Sequence, residues 1–192
     1  GRTASGALLR FRQDVDADTR LALKVAVHDD AAARGALDAP STLLSYTDIL
    51  VRSGPVLRTE AGPAFTFPEQ SLEPHDVVRV TTEHASLLEH HLGAWLPDIP
   101  VAQPMFVVVA DGHAVSICAS VRLTSAASEA GVETAPPYRG RGYAARAAAA
   151  WARAVRSMGL APLYSTSWQN AASRAVARKL GLIHFGSDLH VT

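Results

Sequence analysis

The chain has 192 residues and a mass of 20.3 kDa, enough to bury a core without disulfides or metal. Hydrophobic residues make up 48% and charged residues 19%, a globular and not a disordered composition. The single cysteine, Cys118, excludes an intrachain disulfide framework and a multi-cysteine zinc site. No run of 18 apolar residues and no basic-then-apolar leader pattern occurs, so a cytoplasmic protein without a membrane span is expected. The formal net charge is zero, which argues against a general nucleic-acid binder. The charge is unevenly spread, however. From Thr134 to Ser187 there is no Asp or Glu, but seven arginines and Lys179; the rest of the chain sets 18 acids against ten bases. A basic, carboxylate-free block of 54 residues suits a compact polyanion such as a phosphorylated cofactor.

In chain order, residues 1 to 75 read as a mainly helical region packed on the core. Leu21, Val25 and Ala31–Ala33 mark one helix; Leu43, Leu44, Tyr46, Ile49 and Leu50 mark a second, after Pro40 and a Ser41 N-cap. Between Gly54 and Pro74, Val56-Leu57 and Phe65-Thr66-Phe67 are candidates for a hairpin. Residues 76 to 192 read as one α/β domain. Val77–Thr81 is a strand, and Ala85–Leu96 a helix with Leu87, Leu88, His91, Leu92 and Trp95 on one side. Met105–Ala110 and His113–Leu123 are strands joined by the Asp111-Gly112 turn. Glu129–Thr134 is a strand, Gly142–Met158 a helix stopped by Gly159, and Leu163–Ser167 a strand. Asn170 caps a helix running to Leu180, and Ile183–Phe185 begins a last strand. The order is β-α-β-β-β-α-β-α-β, a mixed α/β architecture.

The chemistry concentrates at Arg139-Gly140-Arg141-Gly142-Tyr143-Ala144, between a strand and a helix. Glycines there let a ligand approach the backbone, and the free N–H groups of the helix start favour an anion. The strand–glycine loop–helix unit therefore reads as a pyrophosphate cradle. Gly140 to Ala145 also matches the G-x-G-x-x-A dinucleotide fingerprint. That fold needs an acidic residue about 20 positions on for the ribose, and none occurs before Asp188.

The loop resembles the signature of the GNAT N-acetyltransferase superfamily, Arg/Gln-x-x-Gly-x-Gly/Ala, filled here by Arg139, Gly142 and Ala144. Residues 129–142 are similar to that family's fourth strand running into its loop. Ser165–Ser173, followed by Lys179-Leu180-Gly181, is similar to its second block, where an Asn follows the fifth strand and Lys-Leu-Gly closes a helix. The resemblance covers about residues 76–192. It implies a central mixed, mostly antiparallel sheet flanked by helices, and acetyl-CoA as donor with no metal. It further implies that the backbones of Val132 and Thr134 pair with the pantetheine arm. The N–H groups of Arg139, Gly140, Arg141, Gly142, Tyr143 and Ala144 would hold the pyrophosphate. Asn170 and Ser173 would contact the pantetheine or phosphates, and Arg141, Arg174 or Arg178 the 3′-phosphate.

Attack by an amine needs a proton acceptor. Glu129, ten residues before Arg139, is the first candidate and Glu133 the second. On a regular strand these two share one face, with Val132 and Thr134 on the other. The departing thiolate needs a donor. The family's Tyr, seven residues after the Asn, is replaced by Ala177, which leaves Ser173, Tyr164, Tyr143 or water. That departure keeps a non-catalytic acetyl-CoA sensor as the alternative to an enzyme. Cys118 lies in an apolar strand and reads as structural. His84, His90 and His91 lack metal-ligand spacing, and His113 is expected in solvent beside a turn. The expected reaction is direct acetyl transfer to a small amine or a peptide N-terminus, with a homodimer as an open arrangement. Only Leu189–Val191 is left for the family's final strand, which is therefore expected to be short, absent or supplied by a partner subunit.

Overall fold

A computed structural model describes residues 1–33, 43–69 and 76–191. In chain order the elements are β1 (Arg2–Thr3), β2 (Gly6–Ala7), α1 (Ala17–Ala33), α2 (Leu43–Val51), β3 (Thr59–Thr66) and β4 (Val77–Arg79). Two 3₁₀ segments follow, Thr82–Leu87 and Gly93–Asp98. Then come β5 (Met105–Ala110), β6 (His113–Leu123), β7 (Ala127–Thr134), α3 (Tyr143–Ser157), β8 (Ala161–Ser165), α4 (Ala171–Lys179) and β9 (Ile183–Val191). The chain divides into two compact units. One comprises 1–64, 165–171 and 184–192, the other 65–164 and 172–183.

In the first unit, Asp16 caps α1: its carboxylate accepts from the Thr19 amide at 2.8 Å and the Thr19 hydroxyl at 2.7 Å. Those bonds hold the Asp16 carboxyl below its usual range. The helix turns Thr19, Leu23 and Asp30 inward, while Leu21 and Val25, the residues that mark it in the sequence, stand exposed. Asp30 is buried and receives the Tyr46 hydroxyl of α2 at 2.8 Å, and its carboxylate also pairs with Arg2. The expected Ser41 cap lies outside the described residues. In place of the expected hairpin around Val56-Leu57, β3 is a single strand, and Leu57 is 84% exposed. The last strand is also longer than expected. β9 runs nine residues, and the short β1–β2 hairpin pairs with it antiparallel, Arg2 opposite Ser187 and Thr3 opposite Gly186.

The second unit has the strand order β8-β7-β6-β5-β4. The pairs β4/β5, β5/β6 and β6/β7 are antiparallel, and β7/β8 is parallel. This is a mixed α/β sheet with helices on both faces. On one face lies α3. Its buried Ala145, Ala147–Ala150 and Ala152 have no bulk beyond Cβ, so the helix seats closely on β6 and β7. Trp151 is fully buried there, stacked obliquely on Phe67, and its indole donates to Ser120 at 3.1 Å. Met158 is half exposed at the helix end. The other face carries the two 3₁₀ segments, whose flanking residues Leu88, Leu92 and Ile99 are buried against Met105, Val107, Ile117 and Ala119.

The single helix expected over Ala85–Leu96 is therefore two tight 3₁₀ turns. Gly93 is a poor helix former and Pro97 lacks an N–H donor, so the apolar spacing is met by short turns. Cys118 is fully buried and its thiol is pushed well up by burial, as a structural residue requires.

The Tyr46 hydroxyl serves a buried carboxylate, so Tyr46→Phe should cost roughly 1.5–3 kcal/mol. Chemical denaturation should register that loss with the slope unchanged. A loss below about 0.5 kcal/mol would mean the bond is replaced by water.

Candidate functional site

Strand β7 carries the site because of what happens on its two edges. Toward β8, parallel pairing covers only Ala127–Glu129 against Ala161–Leu163. Beyond it the strands part. Toward β6, the register runs Ser116↔Thr134, Ile117↔Glu133, Cys118↔Val132. The Ala135 amide donates to Val115 O at 2.9 Å. Antiparallel bonding alternates, so Val115/Ala135 and Ile117/Glu133 are bonded pairs. The backbone groups of Val132 and Thr134 then point away from β6, into the side where β8 has left. One of them is already taken: Arg139 Nε donates to Thr134 O at 3.0 Å. The signature arginine thus braces the strand end with its side chain.

A β-bulge sets the faces. Ser120 pairs with Ala130 and Arg122 with Glu129, leaving Val121 as an extra residue on β6. The extra residue brings Arg122 onto the same face as Glu129, and they pair at 3.1 Å. The bulge is in β6 and not in β7, so Glu129, Gly131 and Glu133 share the face of the 3₁₀ segments. Ala130 and Val132 pack toward α3. Glu129 is largely covered, with 18% of its side chain exposed; Glu133 is exposed. Trp95, from the second 3₁₀ segment, donates its indole N–H to Glu133 Oε2 at 2.6 Å.

After β7, a 3₁₀ turn at Pro136–Tyr138 leads into the loop. Gly140 and Gly142 have φ of 77° and 82°, the left-handed region that favours glycine. Gly142 is the N-cap of α3, and no side chain caps that helix start. A Cβ on Gly142 would also collide with Lys179 Nζ, so the ammonium of α4's last residue stands over the loop. Tyr143 begins α3 half-buried with Arg146 over its ring, and Ala144 follows in the first turn. Arg141 is exposed and lies over the Tyr138 ring at 5.3 Å. Asn170 is exposed just before α4, as is Arg178 in its last turn. Other arginines of the acid-free block are structural. Arg156 donates to Phe67 O and Pro68 O at 2.8 Å, and Arg146 pairs with Asp76 at 3.5 Å.

Ser173 lies 2.5 Å from the Tyr164 hydroxyl, on the strand that parts from β7. Tyr164 is buried, and its phenol is pushed up chiefly by burial, so it stays protonated at neutral pH. The sequence lists both residues but not their contact. Nor does it indicate Lys179 over Gly142 or Trp95 on Glu133. Ala177, where the family carries Tyr, is buried and offers no hydroxyl. None of the residues nominated from the sequence lines the cavity of about 260 Å³ in the first unit, formed in part by Leu9, Phe11, Leu23 and Tyr46.

His113, expected in solvent, is half-buried. His113 stacks on His90 with ring centres 4.6 Å apart; His91 meets His90 edge-on at 4.2 Å and Tyr138 at 5.3 Å. Tyr138 in turn donates to Asp111 at 3.1 Å. Among the described residues no group of His, Cys, Asp and Glu is arranged to hold a metal.

Residues 106–186 match the model of the GNAT acetyltransferase family. The match spans 81 of the 192 residues and is a similarity to that family. Solved structures of similar fold include a GNAT-family protein from Novosphingobium aromaticivorans (22% identity, TM-score 0.57, covering 70% of this chain and 64% of that one). Another is a GCN5-related N-acetyltransferase-like protein from Streptococcus suis (20%, 0.55, 77% and 67%). A third is a GNAT acetyltransferase from Colwellia psychrerythraea (16%, 0.54, 79% and 61%). The chain spans about three fifths to two thirds of the length of these structures. No curated protein sequence matches the chain significantly. Among the described residues no helix is long and apolar enough to cross a membrane.

Burial, then repulsion from His90 and His113, pushes His91 below its ordinary value of 6.5. The folded state therefore prefers neutral His91. The stability it contributes is present above pH 6.5 and is lost as pH falls through the lower folded value. His91→Gln should flatten the drop in melting temperature between pH 7.5 and 5.5 relative to the parent. An identical drop in both proteins would remove His91 as its source.

Proposed function

We propose that the GNAT domain transfers an acetyl group from acetyl-CoA to an amine by direct attack in a ternary complex. The observation that carries this reading is the backbone edge of Val132 and Thr134 that faces away from β6 beside the parted β8, with only Thr134 O engaged by Arg139, running directly into the uncapped glycine loop. An amide-bearing pantetheine arm can add to such an edge as a strand would. The Arg139 amide already donates to Pro136 O at 3.3 Å, so of the expected amides those from Gly140 to Ala144 receive the pyrophosphate, with Lys179 above Gly142 as a fixed counter-charge. Arg141, Arg174 and Arg178 are the proposed partners of the 3′-phosphate, and Asn170 and Ser173 of the pantetheine region.

The proton inventory follows from the two faces. α3 seals the face of Ala130 and Val132, so the acceptor reaches the thioester from the face of Glu129. The amine nitrogen bonds to the carbonyl carbon and its proton passes to Glu129, directly or through water. The carbon–sulfur bond then breaks, and the thiolate takes a proton from Ser173, whose hydroxyl is backed by the neutral Tyr164 phenol. This pair stands in for the tyrosine that Ala177 replaces. The buried Ala177 is also the one feature that favours the alternative, a sensor that binds acetyl-CoA without turnover.

Calorimetric titration with acetyl-CoA, with dephospho-CoA as control, tests the cofactor reading. Binding near micromolar, weakened roughly tenfold without the 3′-phosphate, is expected. Absence of binding sinks the reading. Gly142→Ala, which strains φ and displaces Lys179, should weaken acetyl-CoA by more than about tenfold. Glu129→Gln should lower kcat by roughly 10²–10⁴ with acetyl-CoA affinity unchanged. Full turnover in that variant would exclude Glu129 as the base.

A further inference from the structure

Resting on the acetyl-CoA reading, we propose that Trp95, held over Gly131 by Glu133, is the specificity wall of the acceptor site. It would select primary amines carried on an apolar body, with Glu133 as its positioning residue.

Three observations converge on this wall. Gly131 lies between Glu129 and Glu133 on the face of β7 that bears the 3₁₀ segments, and it has no side chain of its own to offer. A Cβ there would overlap Val121 Cγ1 and lie 3.1 Å from Trp95 Cη2. The space over Gly131 is thus filled by two hydrocarbon surfaces brought from other elements. Val121 arrives because the bulge makes it the unpaired residue of β6, and it keeps 49% of its surface exposed. Trp95 arrives because its indole N–H is anchored on Glu133, 38 residues away, at 2.6 Å.

The polar groups of this face are largely engaged. Glu133 receives the indole, and Glu129 pairs with Arg122. An amine approaching Glu129 therefore travels along an aromatic face and a valine methyl, with few donors or acceptors for hydroxyl groups. The ring face also receives an ammonium favourably before it loses its proton. A polyhydroxylated or long polyamine acceptor would strip its own water with little return.

The test is steady-state kinetics on phenethylamine and hexylamine against ethanolamine and spermidine, with acetyl-CoA affinity measured in parallel. The parent is expected to favour the two apolar amines by at least about tenfold in kcat/KM. Trp95→Ala should raise KM for phenethylamine by about tenfold, with kcat within about threefold and acetyl-CoA affinity unchanged. Trp95→Phe keeps a ring without the N–H donor and should fall between the two, so a folding defect in the alanine variant does not decide the matter. Glu133→Gln retains an acceptor oxygen for the indole and should keep the parent KM, whereas Glu133→Ala should behave like Trp95→Ala. A preference for ethanolamine or spermidine, or no turnover of either apolar amine, overturns the wall. A large fall of kcat in Glu133→Gln, with a displaced acid limb of the pH–rate profile, overturns the positioning role and makes Glu133 the base. Loss of acetyl-CoA binding in the parent overturns the cofactor reading, and this inference with it.

Discussion

The parting of β7 from β8 is the constraint from which the rest of the site follows. A parallel pair that continued to Thr134 would satisfy Val132 and Thr134 within the sheet and leave nothing for a ligand. Pairing that stops at Glu129 and Leu163 leaves polar backbone groups facing a gap. Such groups are costly to bury without partners. The Arg139 guanidinium already satisfies one carbonyl there. The same β7 end feeds the loop in which Gly140 and Gly142 hold positive φ. On the proposed reading, a single strand thus holds a hydrogen-bonding edge, a face for acid–base groups and the approach to an anion site.

Two compensations keep that strand in place. On one face α3 uses alanines to approach closely and puts its largest buried residue, Trp151, under Ser120 and near Ser128. On the other face the bulge at Val121 shifts the register, so that Arg122 meets Glu129 and Val121 covers Gly131. Without the extra residue, Val121 would stand opposite Glu129 and Arg122 would turn toward α3. The carboxylate would then lie on an open face with no cation beside it. A one-residue insertion in β6 therefore sets the chemistry of its neighbour, since side chains alternate with period two.

Much of this was legible in the sequence wherever the signal is local. The Asp111-Gly112 turn, the apolar runs of β5 and β6, the glycine loop and the helix after it are each specified by residues within a few positions of one another. The shared face of Glu129 and Glu133 followed from strand parity alone. What was not legible depends on distant partners or on competition between weak preferences. The apolar spacing of Ala85–Leu96 fits one helix, but Gly93 and Pro97 tip it into two 3₁₀ turns. Leu21 and Val25 mark α1 correctly by type but not by face, because Leu23 and Asp30 contact the partner elements. His113 reads as solvated from its turn and is covered by a histidine from another element. The contacts of Trp95 with Glu133 and of Tyr164 with Ser173 span 38 and 9 residues, and no local pattern announces either.

The charge pattern separates into two kinds of positive residue that a count merges. Arg156 and Arg146 of the carboxylate-free block hold main-chain carbonyls or Asp76, and their charge is spent within the unit. Arg141, Arg178 and Lys179 are exposed, and Lys179 stands over the loop at Gly142. The absence of Asp and Glu from Thr134 to Ser187 then has a physical reading at the level of the site. A carboxylate near Gly142 would neutralise Lys179 and compete with an incoming phosphate for the loop amides. Removing acids from this stretch keeps the helix dipole, the loop amides and the ammonium acting in one direction, as the proposed binding of a strongly anionic ligand at a short glycine loop requires.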